Sequence, residues 1–376
     1  MNKNSEQVIL PPATIGIVGG GQLGRMLTVS AKQMGYRVGI LDPTPDSPAG
    51  QLADFQVIAD YQNQAALQSL ARESAVLTYE FENVDEQALS AVRPLTSLPQ
   101  GVELLHITGN RLREKQFLAK LGVAVTPFAA VPNRSALPAA IAQVGTPAIL
   151  KTVAGGYDGH GQLDLDGQVL PLEIASLTAH PCILEARQQF TCEVAMMVTR
   201  SATGDVVTFP LVENQHRHHI LHTTLAPARV APAVHRQAQQ IATRIATALN
   251  LRGVLGIEFF VLANGELLVN ELAPRPHNSG HYSIEACNIS QFEAHIRSIC
   301  GLPLPEIQQL RPAVMRNLLG EDLAVARQAL VTQPDWHFHD YGKEQIKPQR
   351  KMGHVTCLTD DFAATLQELA TLKGDH

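Results

Sequence analysis

A chain of 376 residues can form two or three domains, each with its own core. Hydrophobic residues make up 45% of it and charged residues 17%, the balance of a soluble globular protein. A net charge of −6 argues against non-specific partners such as nucleic acid or an anionic membrane, and no apolar run approaches the roughly 18 residues of a membrane-spanning helix. The opening MNKNSEQVILPPA has no apolar segment ending in a small-residue cleavage site, which predicts no secretory signal. Five cysteines with no C-x-x-C pair predict reduced, mostly buried thiols in a cytoplasmic protein, not a disulfide framework or a zinc site.

The chain first reads as alternating strands and helices. TIGIV (14–18) is a buried strand, helical spacing runs from Leu23 to Met34, and RVGIL (37–41) is a second strand ending at Asp42. Val57–Ala59, the helix-like NQAALQSLARES and AVLTYEF continue the pattern, which predicts a parallel sheet with helices on both faces. After the proline-containing RPLTSLPQG, a helix is expected over Arg111–Leu121, with Asn110 as its N-cap. TPAILK (146–151) reads as a strand that enters VAGGYDGHGQ (153–162), and GQLDLD reads as the strand returning from it. CILEA and CEVAMMVTR are further strands, 233–250 an amphipathic helix and 254–272 a hairpin, while the last third shows no clear period.

Three features point to chemistry. Gly19, Gly21 and Gly24 satisfy G-x-G-x-x-G after a strand, and Asp42 follows where a ribose-binding acid would stand. A nicotinamide-dependent oxidoreductase is therefore one reading; a phosphorylated substrate at the helix N-terminus, or a tight turn with nothing bound, are others.

The second feature is GIEFFVLANGELLVNEL. A two-residue turn at Asn264-Gly265 pairs Ala263 with Glu266 and so sets Glu258 directly opposite Glu271 on one sheet face. Two carboxylates there require a proton or a cation between them, and hard oxygen ligands suit Mg²⁺ completed by substrate phosphates. Arg275 follows closely, where a guanidinium stabilises transferring phosphoryl charge. With Lys151 and a glycine-rich lid, and with no Walker A motif, this predicts an ATP site outside the P-loop class. The third feature, HRHHILH (216–222), fits no standard zinc spacing and predicts one nucleotide-contacting histidine among exposed neighbours.

GGGQLGRM, RLREKQFL, ILK, GGYDGHGQ, ILE, ENQH, VNELAPRPHNSGH and RKMGH stand in the order of an ATP-grasp enzyme. Over nearly its whole length the chain resembles the 5-(carboxyamino)imidazole ribonucleotide synthetase family. The resemblance implies an α/β and α+β ATP-grasp fold: a doubly wound, Rossmann-like domain over 1–108, a small lid domain over 109–184, and a larger sheet domain with a C-terminal extension over 185–376. It implies ATP, bicarbonate and 5-aminoimidazole ribonucleotide as substrates, Mg²⁺ on Glu258 and Glu271, and a cytoplasmic homodimer.

By the same resemblance, ATP would be held by Arg111, Lys115, Lys151, the lid residues Gly156, Tyr157, Asp158, Gly159, His160, Gly161 and Gln162, the hinge Glu185, Ala186, Arg187 and Gln188, and by Glu193, His216, Asn270 and Glu271. Catalysis would fall to Tyr157, Asp158 and Arg275, the first two as proton carriers at the amine. The ribonucleotide would meet Gln22, Leu23, Glu80, Asn83, Arg275, His277, Asn278 and Ser279, with Lys343, Arg350 and Lys351 near its phosphate. His160 stands where the family usually carries arginine or lysine, and Ala273 where many ATP-grasp enzymes carry asparagine.

Overall fold

The computed structural model describes residues 8–82, 84–155, 161–166 and 174–372. Its first layer is a parallel sheet ordered β3-β2-β1-β4, from β1 (Thr14–Val18), β2 (Arg37–Leu41), β3 (Phe55–Val57) and β4 (Val76–Tyr79). Helices α1 (Gln22–Gln33), α2 (Gln64–Arg72) and α3 (Glu86–Val92) are interleaved with the strands. Both faces of this sheet are buried, which explains the unbroken apolar runs of its strands. Ile15, Ile17, Val38 and Ile40 pack on α1, and Leu41, Leu77 and Tyr79 pack on α2 and α3.

After α4 (Glu103–Thr108) and α5 (Arg111–Lys120) the chain builds a small antiparallel sheet, β5-β8-β6-β7. It comprises β5 (Phe128–Val131), β6 (Ala148–Thr152), β7 (Gln162–Leu165) and β8 (Cys182–Ala186), backed by α6 (Leu137–Val144), with the short α7 (Ile174–Leu177) before β8. The expected division at residue 184 falls inside β8, whose residues pair along their length with β5 and β6.

The third layer is an antiparallel sheet of nine strands ordered β14-β13-β9-β11-β12-β15-β17-β16, with β10 on the side of β9. Its first part holds β9 (Cys192–Arg200), β10 (Val206–Thr208), β11 (Val212–Arg217), β12 (Ile220–Ala226), α8 (Pro232–Ala248), β13 (Val254–Val261) and β14 (Leu267–Ala273). α9 (Ser283–Ala286) and α10 (Gln291–Ile299) follow, then β15 (Ala313–Leu319), α11 (Asp322–Ala329), β16 (Trp336–Asp340), β17 (Lys351–Leu358) and α12 (Phe362–Leu369). The unread last third thus extends the same sheet instead of forming another.

Two packing decisions position the site. Phe292, Ile296 and Ile299 of α10 join the core under α1, which fastens the first layer to the large sheet. Along β13, Leu255, Ile257, Phe259 and Val261 enter the core beneath α8. The two-residue period of a strand therefore turns Glu258 and Phe260 to the other face.

Leu67, wholly buried between α2 and the first sheet and remote from the large sheet, tests this division. Leu67→Ala is expected to destabilise the protein by about 2–5 kcal/mol in chemical denaturation while leaving the KM for ATP unchanged.

Candidate active site

A cavity of about 810 Å³ opens between the three layers. From the first come Gln22 and Leu23 at the start of α1 and Glu80 just past β4; from the small sheet, Lys151, Gln162 and Glu185, with Ala186, Arg187 and Gln188 beyond it. Glu193, His216, Glu258, Asn270, Glu271, Arg275, His277, Asn278 and Lys351 complete it from the large-sheet side, and Arg111 from the head of α5. Gly161, Lys115, Ser279, Lys343 and Arg350 are not in its lining. Asn83 and Gly156, Tyr157, Asp158, Gly159 and His160 lie outside the described residues.

Local rules place the basic groups. Asn110 caps α5, its Oδ1 accepting from the Leu112 and Arg113 amides at 3.1 Å, and the Arg111 amide donates to the carbonyl of Val153. This sets the guanidinium of Arg111 3.6 Å from Glu271. Lys151 and Glu185 project from the same face of neighbouring antiparallel strands, their charged atoms 2.8 Å apart. Burial opposes ionisation of Glu185, yet Lys115 and Lys151 hold its carboxyl below the usual range. Arg275 pairs with Glu82 at 2.6 Å, a partner that no local motif points to.

Glu258 and Glu271 are cross-strand partners, as expected, but by a different route. The turn contains three residues, not two: Leu262 pairs with Glu266, and Gly265 adopts φ +83°, the left-handed residue of a type I turn with bulge. Val261, Phe260 and Phe259 then face Leu267, Leu268 and Val269, a register that carried forward would set Glu258 opposite Asn270. A bulge at Asn270 restores Glu271 to that place and turns both residues into the cavity. Burial, and then the charge of Glu271, push the Glu258 carboxyl well above the ordinary range, while His216 pulls it down. His277 Nε2 stands 3.6 Å from Glu258.

Glu193 and His216, on adjacent strands, form an ion pair. Burial works against the charge on the imidazole, but the bond to Glu193 and the carboxylate of Glu258 raise its pKa. The other histidines of that run disperse: His218 and His219 take positive φ in the β11–β12 turn, and His222 is buried against Arg316. Among the described residues no cluster of three or more metal-ligating side chains exists. The Asn278 amide, at the cavity wall, has buried polar atoms with no hydrogen-bond partner among the described residues.

The glycine turn does not offer its amides to a dinucleotide. Gly20 N–H donates to Asp42 at 2.8 Å, and Gly21 and Gly24 donate to the two oxygens of Glu80 at 2.6 and 2.8 Å. Asp42 also accepts from Tyr61 and Thr44 and so holds the turn instead of a ribose. A Cβ at Gly19 would stand 2.4 Å from Glu80 Cγ; the glycines let an internal carboxylate take the anion position at the helix N-terminus. Burial raises the Glu80 carboxyl to about 7 against the pull of those amides.

Comparison with known proteins decides the family. The N5-carboxyaminoimidazole ribonucleotide synthase of Bacillus subtilis is 45% identical over 366 residues, 97% of this chain and 96% of that protein. The chain belongs to the N5-carboxyaminoimidazole ribonucleotide synthase family. Family models match at 12–107 (ribonucleotide synthetase preATP-grasp domain), 116–292 (ATP-grasp domain) and 313–368 (phosphoribosylaminoimidazole carboxylase C-terminal domain). An N5-carboxyaminoimidazole ribonucleotide synthetase solved as its ADP complex superposes with a TM-score of 0.94 at 45% identity, over 97% of both chains. The synthase of Aspergillus clavatus, solved with ADP and 5-aminoimidazole ribonucleotide, superposes with 0.89 at 31% identity, over 96% of this chain and 97% of that one. As a synthase-family member the chain is an ATP-grasp ligase, and the oxidoreductase reading falls with the occupied glycine turn. The five cysteines are unpaired, four of them buried, and no helix among the described residues is long and apolar enough to cross a membrane.

The raised pKa of Glu258 has a definite sign in stability. The folded chain keeps a proton that the unfolded chain releases near the ordinary Glu pKa of about 4.3, so this contribution is full below that value and lost as pH rises through the higher folded pKa. With a chelator present, the melting temperature is expected to fall as pH rises across that window, and Glu258→Gln to flatten the fall, as read by circular dichroism.

Proposed function

We propose that this chain carboxylates the exocyclic amine of 5-aminoimidazole ribonucleotide with ATP and bicarbonate, giving N5-carboxyaminoimidazole ribonucleotide, ADP and phosphate. The observation that carries the reading is the facing pair Glu258 and Glu271 in a cavity that also holds Arg111, Lys151 and Arg275. The family's ADP and ribonucleotide complexes support the same substrates.

A divalent cation fits this pair: both donors are hard oxygens, and burial together with the charge of Glu271 raises the Glu258 carboxyl, a penalty that a bound cation would offset. Mg²⁺ held by Glu258 and Glu271 would supply charge neutralisation at the ATP phosphates.

In the proposed reaction Lys151 and Arg111 orient those phosphates. A bicarbonate oxygen bonds to the γ-phosphorus as the bond to the ADP oxygen breaks, and Arg275, fixed by Glu82, offsets the charge that spreads over the transferring group. The product, carboxyphosphate, is short-lived in water. The amine nitrogen then bonds to its carboxyl carbon, directly or after release of CO₂, phosphate leaves, and the amine gives up a proton. Asp158 and Tyr157 are assigned that proton on sequence grounds.

The Asn278 amide, without a hydrogen-bond partner among the described residues, is a hydrogen-bonding position for substrate. Lys351 meets the ribonucleotide phosphate from the cavity wall; Lys343, which donates to the Lys351 carbonyl at 2.7 Å, and Arg350 add positive potential behind it. Adenine is assigned to the part of the cavity lined by Phe260 and residues 186–188. Because the Ala186 and Arg187 amides already donate to Pro127 and Pro147, side chains carry more of its recognition. The proposal extends to a cytoplasmic homodimer, checked by light scattering.

Phosphate release from ATP and Mg²⁺ is expected to rise when the ribonucleotide and bicarbonate are added together. Arg275→Ala should lower kcat by about 10²–10³-fold, and Asp158→Ala should abolish carbamate formation. If neither addition changes the rate, another ATP-grasp ligase reaction replaces this one.

A further inference from the structure

The bulge in β14 has a cost that something must meet. β14 is the last strand of the large sheet, and among the described residues its outer edge meets no further strand, only an isolated parallel bridge between Val125 and Val269. That register is decisive: continued straight from the turn, it would face Glu258 with Asn270 and send Glu271 into the apolar core under α8.

Across the bulge the outer edge is nevertheless bonded to groups from outside the sheet. Val269 N–H donates to the carbonyl of Ala124 at 2.9 Å. The ammonium of Lys115 donates to the carbonyls of Val269 at 3.3 Å and Asn270 at 2.8 Å. Leu272 N–H donates to Glu114 Oε2 at 3.2 Å. Lys115 is 1% exposed and Glu114 4%. A buried ammonium is strongly disfavoured unless its protons are taken up, and Lys115 takes two strand carbonyls flanking the point where the register shifts.

We propose that Lys115 is a positioning residue for Glu271: seated on the Val269 and Asn270 carbonyls, with Glu114 on the Leu272 amide, it holds β14 in the bulged register that brings Asn270 and Glu271 into the cavity together. The assignment rests on the reading of Glu258 and Glu271 as the cation-holding pair. It gives Lys115 a role different from direct contact with ATP, since Lys115 is not in the cavity lining and its ammonium is spent on the backbone carbonyls of Val269 and Asn270.

The test measures Mg²⁺ dependence of ATP cleavage in the full-length protein. Lys115→Met is expected to raise the Mg²⁺ concentration for half-maximal activity about 10–100-fold, as the loss of a residue supporting a metal ligand does, with the KM for the ribonucleotide nearly unchanged. In a Glu271→Gln background the same substitution should add little, because the group it positions is already gone. Thermal unfolding supplies a second readout: ADP with Mg²⁺ should stabilise Lys115→Met less than wild type, and ADP alone equally. A Lys115→Met protein that melts lower but keeps wild-type Mg²⁺ dependence would overturn the proposal, as would full additivity with Glu271→Gln. Should Lys115→Met not fold, Glu114→Gln carries the same expectation, smaller in size, and the same refutation. If Glu271→Gln itself leaves the Mg²⁺ dependence unchanged, the cation-site reading fails instead, so the two failures are distinct.

Discussion

Two like charges facing each other across adjacent strands are the constraint on which this structure turns. Glu258 and Glu271 would repel in any apolar fold, and a chain free to relax would rotate one of them to solvent or slip the strand by a residue. Neither escape is open. Glu258 is locked by the alternation of β13, whose Ile257 and Phe259 are wholly buried under α8. Glu271 is held by the β14 bulge and by the groups of α5 and residue 124 that bond the strand's outer edge. The packing energy of the large core is thus set against a local repulsion, and the repulsion is kept as a place that favours a cation.

The charges around the pair form a continuous web. Arg111 reaches Glu271, Lys115 and Lys151 bracket Glu185, His216 binds Glu193 and lies near Glu258, and Arg275 is anchored by Glu82. Each cation has a protein carboxylate in reach, so the cavity is electrostatically organised before any phosphate enters. Preorganisation of this kind reduces the reorientation needed during charge transfer. The glycine turn of the first layer follows the same logic in miniature: a motif that elsewhere cradles a phosphate here cradles Glu80.

Much of this was legible in the sequence because it is local. β1, β2, β8 and β9 lie where apolar β-branched runs placed them, and Asn110 caps α5 as its residue type and position required. The facing glutamates were read correctly even though the turn was not: a three-residue turn and a bulge shift the register in compensating senses. Nothing in the residues near 270 signals that bulge, because its support comes from a helix some 150 positions earlier in the chain. The role of Asp42 and Glu80 was hidden for the same reason, since G-x-G-x-x-G reports only free amides at a helix start, not what occupies them.

The sequence by itself therefore determined the elements, the alternation that turns Glu258 away from the core, and the presence of paired carboxylates with lysine and arginine nearby. These follow from short-range periodicity and residue type. The tertiary structure decided which anion fills the glycine turn, that Arg275 belongs with Glu82, that the last third extends the large sheet, and that Lys115 serves the backbone of β14. Those outcomes depend on distant segments competing for the same unsatisfied hydrogen-bonding groups, and that competition is settled only when the three layers close around one cavity.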